Sequence, residues 1–341
     1  MKLSWRLGTL SLREPFRGWS AQPERDAVWV EVADDDQVGR GEAVAHHQDH
    51  GHSGCTELLD RVRPHIEDSD DPEQLLATPT WARELRTAPA VRAAVDSALH
   101  DLAAQRRGTP VHEWIEAPPP PPVSTTCTIG ITTTARAVET AGQLVDEGFE
   151  VLKLKLGPTD EHGELVRLAA VRQAAPDARI LVDPNGSWAP EQALRMLEAA
   201  VRHGVVAVEQ PIRPGTPEKL AWVAQRSPVP VIADEDAATI TDVLLLSASV
   251  HGVNVKTTRC GGIRPALDII RAAHDARLDV MLGCLVASSL GIAPAAHLTG
   301  HARWIDLDGH LFLDHDPWTG IGGQDGQLTV PDKPGLGVER A

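Results

Sequence analysis

The segment Glu150-Val151-Leu152-Lys153-Leu154-Lys155-Leu156 alternates apolar and charged residues with a period of two, so it reads as a strand. Lys153 and Lys155 share one face and the three leucines share the other. Seven further short β-rich runs can be read around it, at 124–130, 178–183, 205–209, 229–233, 252–256, 279–283 and 303–307. Helix-forming stretches separate them, for example at 134–147, 190–203, 265–276 and 289–298. Strands alternating with helices imply parallel pairing, because each return to the same end of a sheet needs a crossover. Eight such units predict an α/β fold, a modified (β/α)8 TIM-like barrel.

Toward the N-terminus the barrel pattern stops at Ala117-Pro118-Pro119-Pro120-Pro121-Pro122, an extended spacer that cannot be helix or central strand. Residues 1–117 before it read as a small α+β domain. Strand-like runs fall at 1–12 and 27–33, where Val28, Val30 and Val32 alternate, and helical periodicity at 55–66 and 91–107. Val91, Val95, Leu99 and Leu102 recur at helical spacing, and Gly108-Thr109-Pro110 ends that helix.

The whole-chain numbers exclude several classes of function. The 341 residues carry 32 Lys+Arg against 48 Asp+Glu, a formal charge of −16, which disfavours a phosphate backbone as partner and predicts no nucleic-acid binding. No apolar run approaches the roughly 20 residues of a membrane span, so no membrane partner is expected. Charge in Met1-Lys2-Leu3-Ser4-Trp5-Arg6-Leu7 comes too early for a secretory signal. Cys55, Cys127, Cys260 and Cys284 are scattered and read as reduced thiols of a cytoplasmic protein. P-loop, GxGxxG, HExxH and GxSxG patterns are absent, which leaves nucleotide, zinc-protease and serine-hydrolase readings without support.

Several strands end in residues that are expensive to bury: Lys155, Asp183, Glu209, Asp234 and Lys256, spaced 28, 26, 25 and 22 residues apart. Each interval is about one βα unit, so the set should converge at the C-terminal mouth of the barrel, where this fold carries its active sites. A lone Asp at a strand end caps a helix more often than it binds a ligand. Three carboxylates on consecutive strands repel one another unless a cation neutralises them, and their hard oxygens suit Mg2+. Lysines on either side then describe a device for moving a proton on and off a carbon, each cation lowering the pKa of the other.

These motifs resemble the enolase superfamily, specifically its muconate-lactonizing-enzyme subgroup. They are Lys153-x-Lys155, Asp183-x-Asn185, Glu209-Gln210-Pro211, Asp234-Glu235 and Asn254-Val255-Lys256. The resemblance implies a capping domain over 1–117, a catalytic barrel over 118–311 and a C-terminal segment, 312–341, that returns to the cap. It implies one Mg2+ per subunit on Asp183, Glu209 and Asp234, and Lys155 and Lys256 as the acid/base pair. Lys153 would neutralise a substrate carboxylate, while Asn185 and Glu235 orient the ligands and Lys256. Asp306-Leu307-Asp308-Gly309 resembles the DxD motif with which dipeptide epimerases hold a free α-ammonium, although DxD alone also fits a capped turn. The expected activity is a 1,1-proton transfer at the α-carbon of the C-terminal residue of a dipeptide, by a homo-oligomer.

Muconate cycloisomerase, o-succinylbenzoate synthase and N-acylamino acid racemase remain alternatives on the same scaffold, as does a barrel that binds a small molecule without turnover. Ala287 stands where related sequences usually carry Glu, which bears on substrate identity. Glu14-Pro15-Phe16-Arg17-Gly18-Trp19 keeps the family's Pro-Phe, but no Arg there aligns with the one that reads a glutamate side chain. Four histidines lie in Ala45-His46-His47-Gln48-Asp49-His50-Gly51-His52; the loop reads as solvated or substrate-facing, with His47 and His50 as selectivity residues, or as a transition-metal site.

Overall fold

Period-two burial builds the N-terminal sheet. Strand β1 (Lys2–Ser11) pairs antiparallel with β2 (Glu24–Asp34), and β2 with β3 (Gln37–Val44). Val28, Val30 and Val32 of β2 face the core beneath α1 (His52–Glu67), α2 (Pro72–Ala77) and α3 (Pro89–Arg107). A computed structural model of the chain describes residues 1–14, 23–35, 37–44, 52–158, 160–247 and 249–341. Strand β3 was not apparent from hydrophobic patterning, because Gly39 and Gly41 interrupt it. Those glycines let α3 dock: a Cβ at either would stand 2.0 Å from the Ala98 or Ala94 carbonyl oxygen. Helix α3 ends at Gly108, whose φ of +69° is the left-handed cap conformation that glycine tolerates.

After α4 (Val111–Trp114) and the short β4 (Val123–Ser124), eight parallel strands follow: β5 (Thr126–Ile129), β6 (Val151–Lys155), β7 (Arg179–Asp183), β8 (Val205–Glu209), β9 (Val231–Ala233), β10 (Gly252–Val255), β11 (Asp279–Gly283) and β12 (Trp304–Asp306). They are hydrogen-bonded in chain order. Outside them run α5 (Thr134–Asp146), α6 (Glu161–Ala174), α7 (Pro190–Ala200), α8 (Pro217–Ala224), α9 (Ile240–Leu246), α10 (Thr257–Cys260), α11 (Ile263–Asp275) and α12 (Ser289–Ala296). Among the described residues no α-helix follows β12. The chain makes a 3-10 turn over Gly309–Phe312 and continues through β13 (Trp318–Thr319), β14 (Gln327–Leu328) and β15 (Glu339–Arg340). This final segment touches the N-terminal domain through Leu336 N donating to Asp101 (2.8 Å) and Val111 N donating to Gly335 O (2.9 Å).

Alternation sorts the barrel strands. Leu152, Leu154, Ile180, Val182, Val253 and Val255 point outward into the main core. Val151, Leu181, Ala207, Ile232 and Met281 point inward and fill the lower barrel, with Trp304 packed against them. One step further along β6, β7, β8, β9 and β12 the inward positions become charged, at Lys153, Asp183, Glu209, Asp234 and Asp306.

Two features bind the architecture together. Among the described residues no backbone ladder joins β5 to β12, and side chains close that seam: Thr126 Oγ1 donates to Asp306, the Thr128 N–H to Asp308 (2.8 Å), and the Leu307 N–H to Thr125 Oγ1 (2.9 Å). The N-terminal domain also lends carboxylates to barrel helices. Asp96 of α3 accepts from the Ile263 N–H at the start of α11 (2.6 Å), and Glu42 of β3 accepts from the Ser288 N–H before α12 (2.8 Å). Both use the unpaired N–H groups and positive dipole end of a helix N-terminus.

Candidate active site

The charged inward layer is formed by Lys153 and Lys155 on β6, Asp183 at the end of β7, Glu209 at the end of β8, and Asp234 just beyond β9. Lys256 just beyond β10 and Asp306 at the end of β12 complete it. All seven are at least 95 % buried. Period two brings them to one face, and parallel register brings them to one height: Lys155 lies directly opposite Asp183.

Lys153 Nζ stands 2.6 Å from Glu209 Oε2, 2.6 Å from Asp306 Oδ2 and 3.4 Å from Asp183 Oδ2. Lys155 Nζ donates to Asp183 and, at 2.8 Å, to Asn185 Oδ1. Asn185 adopts φ +47°, a left-handed conformation that Asn tolerates, and its own N–H donates to Asp183 Oδ1 at 2.8 Å. Lys256 Nζ donates to Asp234 Oδ2 (2.7 Å), whose other oxygen accepts from Arg259 (2.7 Å). Lys155 and Lys256 therefore lie on either side of the Glu209 strand, each tied to a different carboxylate.

Burial alone would lower an ammonium pKa. For Lys153 the charges of Asp306, Glu209 and Asp183 more than offset it and hold the pKa well above the ordinary value; for Lys256, Asp234 and Glu209 raise it against the opposition of Arg259 and Lys153. The expectation that neighbouring lysines depress one another is corrected for these two, because carboxylates at hydrogen-bond distance outweigh the more distant like charge. Glu209 is held well below the usual carboxylate range: burial raises it, but Lys153, Lys256 and Lys155 prevail.

Six carboxyl groups share the mouth, Asp183, Glu209, Asp234, Glu235, Asp306 and Asp308, with four cations, Lys153, Lys155, Lys256 and Arg259. Two carboxyls bear the imbalance. Burial and the charge of Asp234 push Glu235 up to about 7, and burial and Asp306 push Asp308 up to about 6. Glu235 Oε2 is buried without a partner, and Glu209 Oε2, though near Lys153, is outside hydrogen-bond geometry. An all-oxygen donor set, an unpartnered Glu235 oxygen, a Glu209 oxygen outside hydrogen-bond geometry and a deficit of two positive charges fit one divalent hard cation. Among the described residues no three such side chains already converge as a metal site, because each carboxylate turns an oxygen toward a lysine.

Asp308 lies beside Asp306 and accepts from both the N–H (2.8 Å) and the hydroxyl (2.6 Å) of Thr128. Ala287 is buried in the turn between β11 and α12, next to Ser288, whose hydroxyl donates to Glu42. His47 and His50 lie outside the described residues, as does the first capping loop beyond Glu14. Sequence reasoning missed Arg259, and it quoted Gln210 in the motif Glu209-Gln210-Pro211 without assigning it a role. Fully buried Gln210 accepts from the Asp234 N–H (2.9 Å) and donates to Asp236 (2.8 Å), locking the end of β8 to the turn after β9. A polar residue directly after a strand-end carboxylate was the available signal.

An eight-strand barrel with opposed lysines and carboxylates at its C-terminal mouth, joined to an α+β domain, defines a class of barrel enzymes that move protons next to carboxylates. Comparison with known proteins narrows it. Residues 136–340 match the family described as Enolase C-terminal domain-like, and residues 17–115 match the mandelate racemase / muconate lactonizing enzyme N-terminal domain. The chain belongs to the mandelate racemase/muconate lactonizing branch of the enolase superfamily. It is 34% identical over 279 residues to the L-Ala-D/L-Glu epimerase of Bacteroides thetaiotaomicron, covering 80% of this chain and 70% of that protein. It is 33% identical over 244 residues to the N-acetyl-D-glutamate racemase of a Pseudoalteromonas species, covering 71% and 74%. The solved dipeptide epimerase of Methylococcus capsulatus, complexed with Mg and L-Arg-D-Lys, superposes with a TM-score of 0.90 at 32% identity and 99% coverage of both chains.

Proposed function

We propose that this chain is a Mg2+-dependent dipeptide epimerase that inverts the α-carbon of the C-terminal residue by 1,1-proton transfer. The observation that carries the reading is at Asp306, whose Oδ2 already holds an ammonium, that of Lys153, at 2.6 Å. With Asp308 beside it, this part of the mouth is built for a cationic nitrogen such as a dipeptide's free N-terminus. Muconates, succinylbenzoates and N-acylamino acids carry no such group. That argument matters because the relatives include both a dipeptide epimerase and an N-acetyl amino acid racemase.

Asp183, Glu209 and Asp234 would hold the cation. When bound, Mg2+ supplies positive charge for the substrate carboxylate as the α-proton leaves. Lys155 removes the α-proton on one face and Lys256 returns one on the other; the roles reverse for the other enantiomer. Asn185 orients Lys155 through the 2.8 Å contact, and Lys153 offsets the charge of the substrate carboxylate. Carboxylate neighbours keep Lys153 and Lys256 protonated; a bound cation would share those carboxylates and so ease proton release from Lys256, while Lys153 keeps its charge for the substrate carboxylate. The enzyme acts in the cytoplasm as a homo-oligomer in this reading. Its four cysteines form no disulfide, and among the described residues no helix is long and apolar enough to cross a membrane.

The test is incubation with pooled dipeptides and Mg2+ in D2O, followed by mass spectrometry and chiral separation. One α-deuterium in the C-terminal residue and loss of stereochemical purity are expected. No deuterium in any dipeptide, with turnover of an N-acetyl amino acid or a muconate instead, overturns the reading.

A further inference from the structure

Asn254 lies on β10 with its side chain facing inward, 2 % exposed, one alternation below Lys256. Its Nδ2 donates to Glu209 Oε1 at 2.8 Å. That orientation follows from chemistry, since a carboxylate oxygen can only accept and the amide nitrogen must face it. Asn254 Oδ1 is then turned away, buried and without a partner among the described residues. The space for the amide comes from the next strand. Gly283 ends β11, and a Cβ built there would stand 2.4 Å from Asn254 Oδ1 and 2.6 Å from Nδ2. No rearrangement short of moving the amide accommodates that contact.

We propose that Asn254 is a positioning residue for Glu209, and that the absence of a side chain at Gly283 is what allows it. The inference rests on Glu209 being a ligand of the divalent cation. By occupying Oε1, the amide sets the rotamer of the carboxylate and leaves Oε2, which lacks hydrogen-bond geometry, facing the mouth. It does so with a neutral donor that holds its protons, whereas Lys153 and Lys256 beside the same carboxylate are needed for the substrate and its proton. Outer partners of this kind typically alter metal affinity by about 10–100-fold.

The experiment measures binding of Mn2+, as a paramagnetic stand-in for Mg2+, by electron paramagnetic resonance on the full chain without substrate. Asn254→Ala should weaken Mn2+ binding by about 10–100-fold. Gly283→Ala should do the same, because the new methyl displaces the amide without removing it. In the double variant, Gly283→Ala should add nothing, since the truncated side chain leaves room for the methyl. Thermal unfolding of each variant separates folding from binding. Unchanged Mn2+ affinity in a folded Asn254→Ala protein overturns the proposal, and so do additive losses in the double variant. Wild-type protein that binds no Mn2+ overturns the metal reading on which it stands, a distinct result.

Discussion

Two sets of buried carboxylates do different work because they are neutralised differently. At the mouth, Asp183, Glu209 and Asp234 face side-chain cations. At the junction of the N-terminal domain and the barrel, Glu42 and Asp96 face helix N-termini, and Asp101 accepts from the N–H groups of Arg40 and Leu336. Backbone N–H groups cannot move away or lose a proton, so the junction set is permanently satisfied. Ammonium groups swing and exchange protons, so the mouth set can be rearranged by a ligand. The first arrangement fixes a structure; the second leaves chemistry available.

The contrast breaks most readily at the lysines. Lys155→Ala and Lys256→Ala should each cut α-proton exchange by about 10²–10⁴-fold for one stereoisomer of a dipeptide substrate. Exchange with the other stereoisomer should persist, followed by proton NMR in D2O. Equal loss with both isomers would mean that the two lysines do not serve opposite faces.

A smaller effect is expected at Asp308. Asp308→Asn removes one negative charge where a substrate ammonium is expected, and should raise KM for dipeptides by about 10–100-fold, the value of a charge-assisted hydrogen bond. An N-acetylated dipeptide should be nearly indifferent to the change. If both substrates suffer alike, the residue is only part of the seam.

The junction offers the smallest and most selective test. Burial raises the pKa of Glu42, against hydrogen bonds from Ser288 and Trp29. The folded protein therefore holds its proton more tightly than the unfolded chain, so this group's contribution to stability falls as pH rises above the ordinary carboxylate value of 4.5. Glu209 has the opposite sign: its lowered pKa contributes stability at neutral pH that is lost only on strong acidification. Glu42→Gln should flatten the decline in urea midpoint as pH rises above 4.5, and should leave Mn2+ affinity unchanged. A steeper decline, or weakened metal binding, would show that the two carboxylate sets are not separable.

Much of the barrel was legible because short β-rich runs alternate with helical stretches and several strands end in a charged residue. All eight predicted runs overlap observed strands, and the helix expected at 134–147 is found at Thr134–Asp146. The convergence of Lys155, Asp183, Glu209, Asp234 and Lys256 followed from spacing, and that of Lys153 from its parity with Lys155. Strand β3 was not legible, because its glycines serve a helix more than 50 residues away. Glu42 and Asp96 were equally silent: their partners, Ser288 and Ile263, lie 246 and 167 residues distant, and nothing local marks a carboxylate that caps another domain's helix. The lysine pKa directions depended on carboxylate distances, which spacing does not contain.

The side-chain seam between β5 and β12 has a consequence for how the molecule comes into being. Thr126 and Asp306 are 180 residues apart, so this contact requires nearly the whole barrel to have been synthesised. A ring fastened by a backbone ladder would be indifferent to what its last strand carries. This ring is fastened by Asp306, Leu307 and Asp308, two of which are the pair proposed to recognise substrate. Closing the barrel and setting the proposed recognition pair are thus one event: a chain that has not seated Asp306 and Asp308 against Thr126 and Thr128 has not closed this seam.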